Sequence, residues 1–269
     1  MSKDISILIT SCDKFYDTWE IVTQSFKDYW PDCPYDIFLM TNEISYTSSK
    51  IKNIQIGKDE SWSLNLKNAL AKINTKYVLI WLDDVFLSQM VDNQNFELIE
   101  EFIKKNSINF LRLRATPVPS KWNGNFGEIY QNALFYRVSI FASIWDINTI
   151  NDLLIDNESA WDFEIKGSIR SSKYNKFYCI RNEPFNYIHG IEKGLWKIDA
   201  LNWLKNRGIN IDLKYRRSMT YEEAKQFRSS KLKNLFLSLL PPKYKYNFLY
   251  LYQKISVKLN YKKSITFIK

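Results

Sequence analysis

Six consecutive apolar residues, Tyr77-Val78-Leu79-Ile80-Trp81-Leu82, end in two adjacent carboxylates, Asp83 and Asp84, and the apolar pattern resumes at once with Val85-Phe86-Leu87. A run this short and unbroken suits a strand covered on both faces, as in sheets flanked by helices. The two carboxylates repel each other, and burying them without a partner costs several kcal/mol. A cation, a hydrogen-bonding sugar or a solvent-filled cleft is the compensation expected there, so the pair marks a candidate site. The competing reading is a strand cap that ion-pairs with a neighbouring Lys or Arg.

Around this strand, elements alternate. Ile5 to Thr10 reads as a β-branched strand, and Phe15, Trp19, Val22, Phe26 and Tyr29 then recur at helical spacing up to Pro31. Tyr35 to Met40 and, more weakly, Lys52 to Ile56 read as further strands. Trp62, Leu66, Ala69, Leu70 and Ile73 mark a second helix, Gln94 to Lys105 a third, and Asn109 to Arg114 another strand. Such alternation predicts an α/β domain with a mixed, mostly parallel sheet flanked by helices. Ligands of such sheets bind at the carboxyl ends of the strands. Polar residues collect there: Thr10, Ser11, Cys12 and Asp13 after the first strand, Thr41, Asn42 and Glu43 after the second, and the acidic pair after the fourth.

Charge divides the chain. Residues 1–213 hold 24 Lys/Arg and 27 Asp/Glu, whereas residues 214–269 hold 14 Lys/Arg and 2 Asp/Glu. A main domain over 1–213 and a basic, aromatic-rich helical appendage over 214–269 are expected. Thr220-Tyr221-Glu222-Glu223 has the form of a capping box opening a helix. Tyr244, Phe248, Leu251, Ile255 and Leu259 then share one helical face, with lysines elsewhere. That pattern serves an interfacial helix on the anionic inner leaflet of a membrane or, equally, a helix packed on the core. Nucleic acid is not an expected partner, because the main domain is acidic and carries no recognisable motif. Three cysteines without a CxxC spacing, and no lysine-led apolar segment before Asp4, predict a cytoplasmic protein. No stretch approaches the roughly 20 apolar residues that span a bilayer.

The order of these motifs is similar to that of nucleotide-sugar glycosyltransferases of the GT-A (Rossmann-like) fold. The motifs are a first strand ending in Thr-Ser-Cys-Asp, an apolar strand closing in Trp-Leu-Asp-Asp-Val-Phe-Leu, and a later Trp-Asp-Phe-Glu. Within that group the chain most resembles bacterial enzymes that assemble surface polysaccharides such as capsule or lipopolysaccharide. The resemblance covers roughly residues 4–210, and the chain departs from the commoner Asp-x-Asp by placing Leu82 before an adjacent pair. It implies a nucleotide-diphosphate sugar donor, a UDP-sugar first of all, with Mn²⁺ or Mg²⁺. The acceptor would be a glycan or a polyprenyl-linked glycan.

The resemblance further implies that Asp84 ligates the metal and Asp83 meets the ribose or sugar, with Thr10, Ser11 and Asp13 on the nucleotide. His189, the single histidine, is a second metal-ligand candidate by the same resemblance, or else a histidine of a glycine turn. Asp162, with Glu164 as second choice, is the expected general base of an inverting transfer, which needs a carboxylate to take the acceptor's proton. The acidic start of a helix accounts for the same residues without chemistry. The stretches Arg114 to Gly127 and Gly190 to Lys197 read as loops over the cleft, the latter placed to meet a diphosphate.

Overall fold

A computed structural model describes residues 4–115, 119, 121–131 and 136–225. The chain divides into two compact units, Met1–Arg217 and Ser218–Lys269. In the second, Thr220 and Glu223 form the expected capping box: Glu223 N donates to Thr220 Oγ1 and Thr220 N to the Glu223 carboxylate. The expected helical face from Tyr244 to Leu259 lies outside the described residues.

The first unit is built on one sheet. Its strands are β1 (Ile5–Thr10), β2 (Asp36–Thr41), β3 (Ile51–Gln55), β4 (Tyr77–Leu82), β6 (Phe110–Arg112), β7 (Lys121–Asn123), β8 (Phe126–Glu128), β9 (Ser143–Asp146) and β10 (Phe177–Ile180). They lie in the order β3-β2-β1-β4-β9-β6-β10-β8-β7. All run in one direction except β9 and β8, so the sheet is mixed and mostly parallel. Two small ladders complete it: β5 (Val85–Leu87) pairs with β11 (Tyr187–His189), and β12 (Ile191–Glu192) with β13 (Leu195–Trp196).

Period-two alternation explains why β1 and β4 are apolar throughout. Ile5, Ile7, Ile9, Tyr77, Leu79 and Trp81 face one core, with Trp19, Val22 and Phe26 of α1 (Tyr16–Tyr29) and Phe96, Ile99 and Ile103 of α3 (Asn93–Asn106). Leu8, Val78 and Ile80 face the other, with Leu66, Ala69 and Leu70 of α2 (Trp62–Leu70) and Ile150 and Leu153 of α4 (Ile147–Leu153). Both faces of the sheet are therefore covered by helices, as the alternation predicts. Side chains set the helix starts: Ser61 Oγ accepts from Leu64 N before α2, Asp92 from Gln94 N before α3, and Asp146 from Thr149 N before α4.

Two stretches expected as open loops are hairpins where described. Lys121 to Glu128 forms β7 and β8 at the sheet edge, turning at Gly124, and Ile191 to Trp196 forms β12 and β13, turning at Lys193 and Gly194. The last helical region starts at α5 (Ala160–Asp162). It passes through a π-helical turn (Phe163–Gly167) into α6 (Ser168–Arg170), and α7 (Ile198–Lys205) follows β13.

Candidate active site

Thr10 and Leu82 are register partners, so β1 and β4 end side by side with the acidic pair just beyond. The turn that carries the pair is pinned twice. Trp81 Nε1 donates to Val85 O at 2.8 Å, and Gly190 N donates to Asp84 O at 2.6 Å. The second bond needs a glycine, since a Cβ at position 190 would sit 2.5 Å from the Phe86 ring and 3.2 Å from Asp84 O. Through it, and through the pairing of His189 with Val85, the fold brings the only histidine beside a motif a hundred residues earlier.

Asp83 is buried and Asp84 partly so. Burial, then the charge of Asp84, pushes the Asp83 carboxyl well above the ordinary carboxylate range, opposed by the Ser11 hydroxyl and Arg216. Asp84 is pushed up to about 6 by burial, with its own backbone N–H opposing and Glu192 adding to the rise. Among the described residues neither carboxylate ion-pairs with a Lys or Arg. Arg216 acts on both from a distance while it holds Asp17 through two bonds of 2.9 and 3.0 Å. The ion pair that the strand-cap reading requires is thus not seen among the described residues. The two adjacent carboxylates offer hard oxygen donors of the kind that Mg²⁺ or Mn²⁺ takes. They do not make a protein cage, as no group of three His, Cys, Asp or Glu suited to a metal occurs among the described residues.

The other expected nucleotide contacts are already engaged within the protein. Thr10 Oγ1 donates to Trp81 O, and Ser11 Oγ to Asp83 Oδ2. The Asp13 carboxylate accepts the backbone N–H groups of Asn42, Glu43 and Ile44 at 2.9 to 3.0 Å, which ties the ends of β1 and β2 together. Asp13 N donates in return to Asn42 Oδ1, so the Asn42 amide orientation is fixed and its buried Nδ2 is left without a partner among the described residues. That orphaned donor at the strand edge was not singled out from sequence. A buried amide without a partner is a site signal only once the fold shows that its oxygen is taken.

The two base candidates separate. Asp162 closes a capping box, accepting from Ser159 N and Oγ, and pairs with Lys166 at 2.9 Å; these bonds hold its carboxyl below the ordinary range. Glu164 enters the π-helical turn. Its Oε1 accepts from Ile140 N at 3.0 Å, and burial raises its carboxyl, opposed by Ile140 N, Ser139, Arg114 and Arg112. Glu158, ahead of the helix start at Ser159, is buried in a two-bond pair with Arg170. Trp161 is 70% exposed.

Between the acidic pair and the Glu164 region stands Phe141, whose ring meets Trp81, Tyr187 and His189 at 4.9 to 5.5 Å, with the Arg114 guanidinium 5.8 Å away. Its neighbour Ala142, buried, holds φ +47°, a conformation that L residues other than Asn, Asp and Gly rarely adopt. Strain of this kind costs on the order of 1–3 kcal/mol and gathers at functional sites.

The architecture is that of an α/β protein with a mixed, mostly parallel, Rossmann-like sheet flanked by helices. No protein-family model matches the chain, and no curated protein matches it. Solved structures similar to it include S. aureus TarS, at 11% identity and a TM-score of 0.47 over 76% of this chain and 39% of TarS. TarS 1-349 in complex with UDP-GlcNAc is similar at 12% identity and 0.47, over 69% of this chain and 58% of its own. UDP-glucose pyrophosphorylase complexed with UDP-glucose is similar at 10% identity and 0.47, over 69% and 92%. The chain thus spans less than two thirds of the TarS structures.

Proposed function

We propose that the protein is a metal-dependent glycosyltransferase, moving a sugar from a nucleotide-diphosphate donor to a glycan or lipid-linked glycan acceptor in surface polysaccharide assembly. The observation that carries this reading is the acidic pair: two adjacent carboxylates, one buried, at the carboxyl edge of a mostly parallel sheet and, among the described residues, ion-paired to no basic side chain. Asp84, joined by Asp83, would hold the cation, without the expected His189, which forms no three-residue metal group with them; when bound, the ion neutralises charge on the departing diphosphate.

The chain's own residues do the rest. Thr10 and Asp13, each engaged within the protein, would shape the strand edge beside the nucleotide. Glu164 is preferred over Asp162 as the base. Its carboxyl, raised by burial, is suited to taking the acceptor's proton, whereas one Asp162 oxygen serves the helix start and the other pairs with Lys166. Trp161 offers an exposed ring to the apolar face of a sugar.

A thermal-shift screen of nucleotide sugars with and without Mn²⁺ tests the reading. UDP-GlcNAc and UDP-glucose come first, being the ligands in two of the solved structures above. A ligand at a hundred times its dissociation constant stabilises by about 2.7 kcal/mol, so a Mn²⁺-dependent rise in melting temperature is expected with one of them. Asp84→Ala should abolish that rise together with sugar-nucleotide hydrolysis; a variant that keeps both sinks the transferase reading.

A further inference from the structure

Ser11 stands between an indole and the acidic pair. Trp19 Nε1, which can only donate, gives its proton to Ser11 Oγ at 2.6 Å. A hydroxyl has one proton of its own, and Ser11 directs it to Asp83 Oδ2; the other acceptor within reach, Cys12 O, is farther off at 3.3 Å. All three side chains are at least nine-tenths buried. The indole is held from behind, in α1, with the Tyr46 ring edge-on at 6.1 Å. Asp83 is pressed against a like charge and, among the described residues, Ser11 is its one side-chain hydrogen-bond donor.

We infer that Trp19 and Ser11 are positioning residues for Asp83. The indole fixes the hydroxyl, the hydroxyl fixes Oδ2, and Oδ1 is left as the oxygen that a cation or sugar meets. The inference rests on the proposed function and changes the part played by one residue in it. Ser11, expected at the nucleotide, instead sets the carboxylate that faces it. Groups that orient a metal-binding carboxylate in this way are worth 10- to 100-fold in metal affinity.

The test uses the full chain and two substitutions that remove one hydrogen bond each, Ser11→Ala and Trp19→Phe. Mn²⁺ binding in the presence of UDP is measured by the loss of the free-ion electron paramagnetic resonance signal, UDP binding without metal by calorimetry, and fold by near-ultraviolet circular dichroism. Each variant should bind Mn²⁺ with UDP about 10-fold more weakly, and the double variant no more weakly than the poorer single one, because the bonds form one chain. UDP binding without metal should change less than twofold. If it falls as far as the metal-dependent affinity, Ser11 touches the nucleotide and the inference is overturned. Additive losses in the double variant, or unchanged Mn²⁺ affinity in both variants beside a wild type that binds, also overturn it. A wild type that binds no Mn²⁺ with UDP overturns the proposed function itself, and the inference with it. Should Trp19→Phe not fold, Ser11→Ala decides alone.

Discussion

At the scale of single residues, the acidic pair sets site and stability against each other. Folding pushes the Asp84 carboxyl up from its ordinary 3.8 to about 6, chiefly by burial. A carboxyl raised by folding contributes stability that is full below its unfolded pKa and is lost as pH rises through the folded one. Ionising Asp84 in place therefore costs on the order of 3 kcal/mol. Asp84→Asn should melt like wild type at pH 4 and several degrees higher at pH 7.5 without metal. Equal gaps at both pH values would contradict the assignment. Gly190→Ala should do the reverse, lowering stability and metal-dependent nucleotide binding together, since its Cβ meets Phe86 and crowds the Asp84 carbonyl. The pair was legible in the sequence because charge ending an apolar run is a local signal. The engagement of Thr10, Ser11 and Asp13 with Trp81, Asp83 and Asn42 was not, because these partners lie between 29 and 72 residues away.

At the scale of elements, the region from Ser159 to Arg170 decides which carboxylate can act as base. A capping box consumes Asp162, and the π-helical turn that follows buries Phe163 and Gly167. Glu164→Gln should reduce turnover by about 10² to 10⁴-fold with little change in donor affinity. Asp162→Ala should instead cost about 1 kcal/mol of stability through the lost cap and leave turnover within a few-fold. Steady-state kinetics beside urea unfolding separates the two, and the opposite pattern would restore Asp162. The Trp-Asp-Phe-Glu stretch announced a helix start with acidic residues, but spacing alone cannot show a π turn, so it could not rank them. Strands followed the same logic. Long apolar runs such as β1 and β4 were readable within a residue or so, whereas β9 and β11, with four and three residues, carry too little pattern to detect.

At the scale of the whole molecule, charge is distributed by segment. Residues 214–269 carry 14 of the 38 basic residues and 2 of the 29 acidic ones. No described helix is long and apolar enough to cross a membrane. If the basic segment meets an anionic surface, each Lys or Arg adds about 1 kcal/mol at low salt, and the effect fades as the Debye length shrinks to about 3 Å at 1 M. Co-sedimentation of the full chain with phosphatidylserine vesicles should accordingly be strong at 50 mM salt and lost at 1 M. Retention at 1 M would point to apolar insertion, and no sedimentation at 50 mM would remove the surface reading.

The position of β9 has a consequence for how the chain is made. It fills the gap between β4 and β6, yet it follows both in sequence, about 60 residues after β4 ends. During synthesis at about 5–20 residues per second, β4 therefore waits several seconds with one edge unpaired. An open apolar edge is a template for pairing with another chain. The strand that ends in the acidic pair is thus the place where a nascent or truncated copy of this protein is most exposed to aggregation, and β9 is the segment whose arrival ends that exposure.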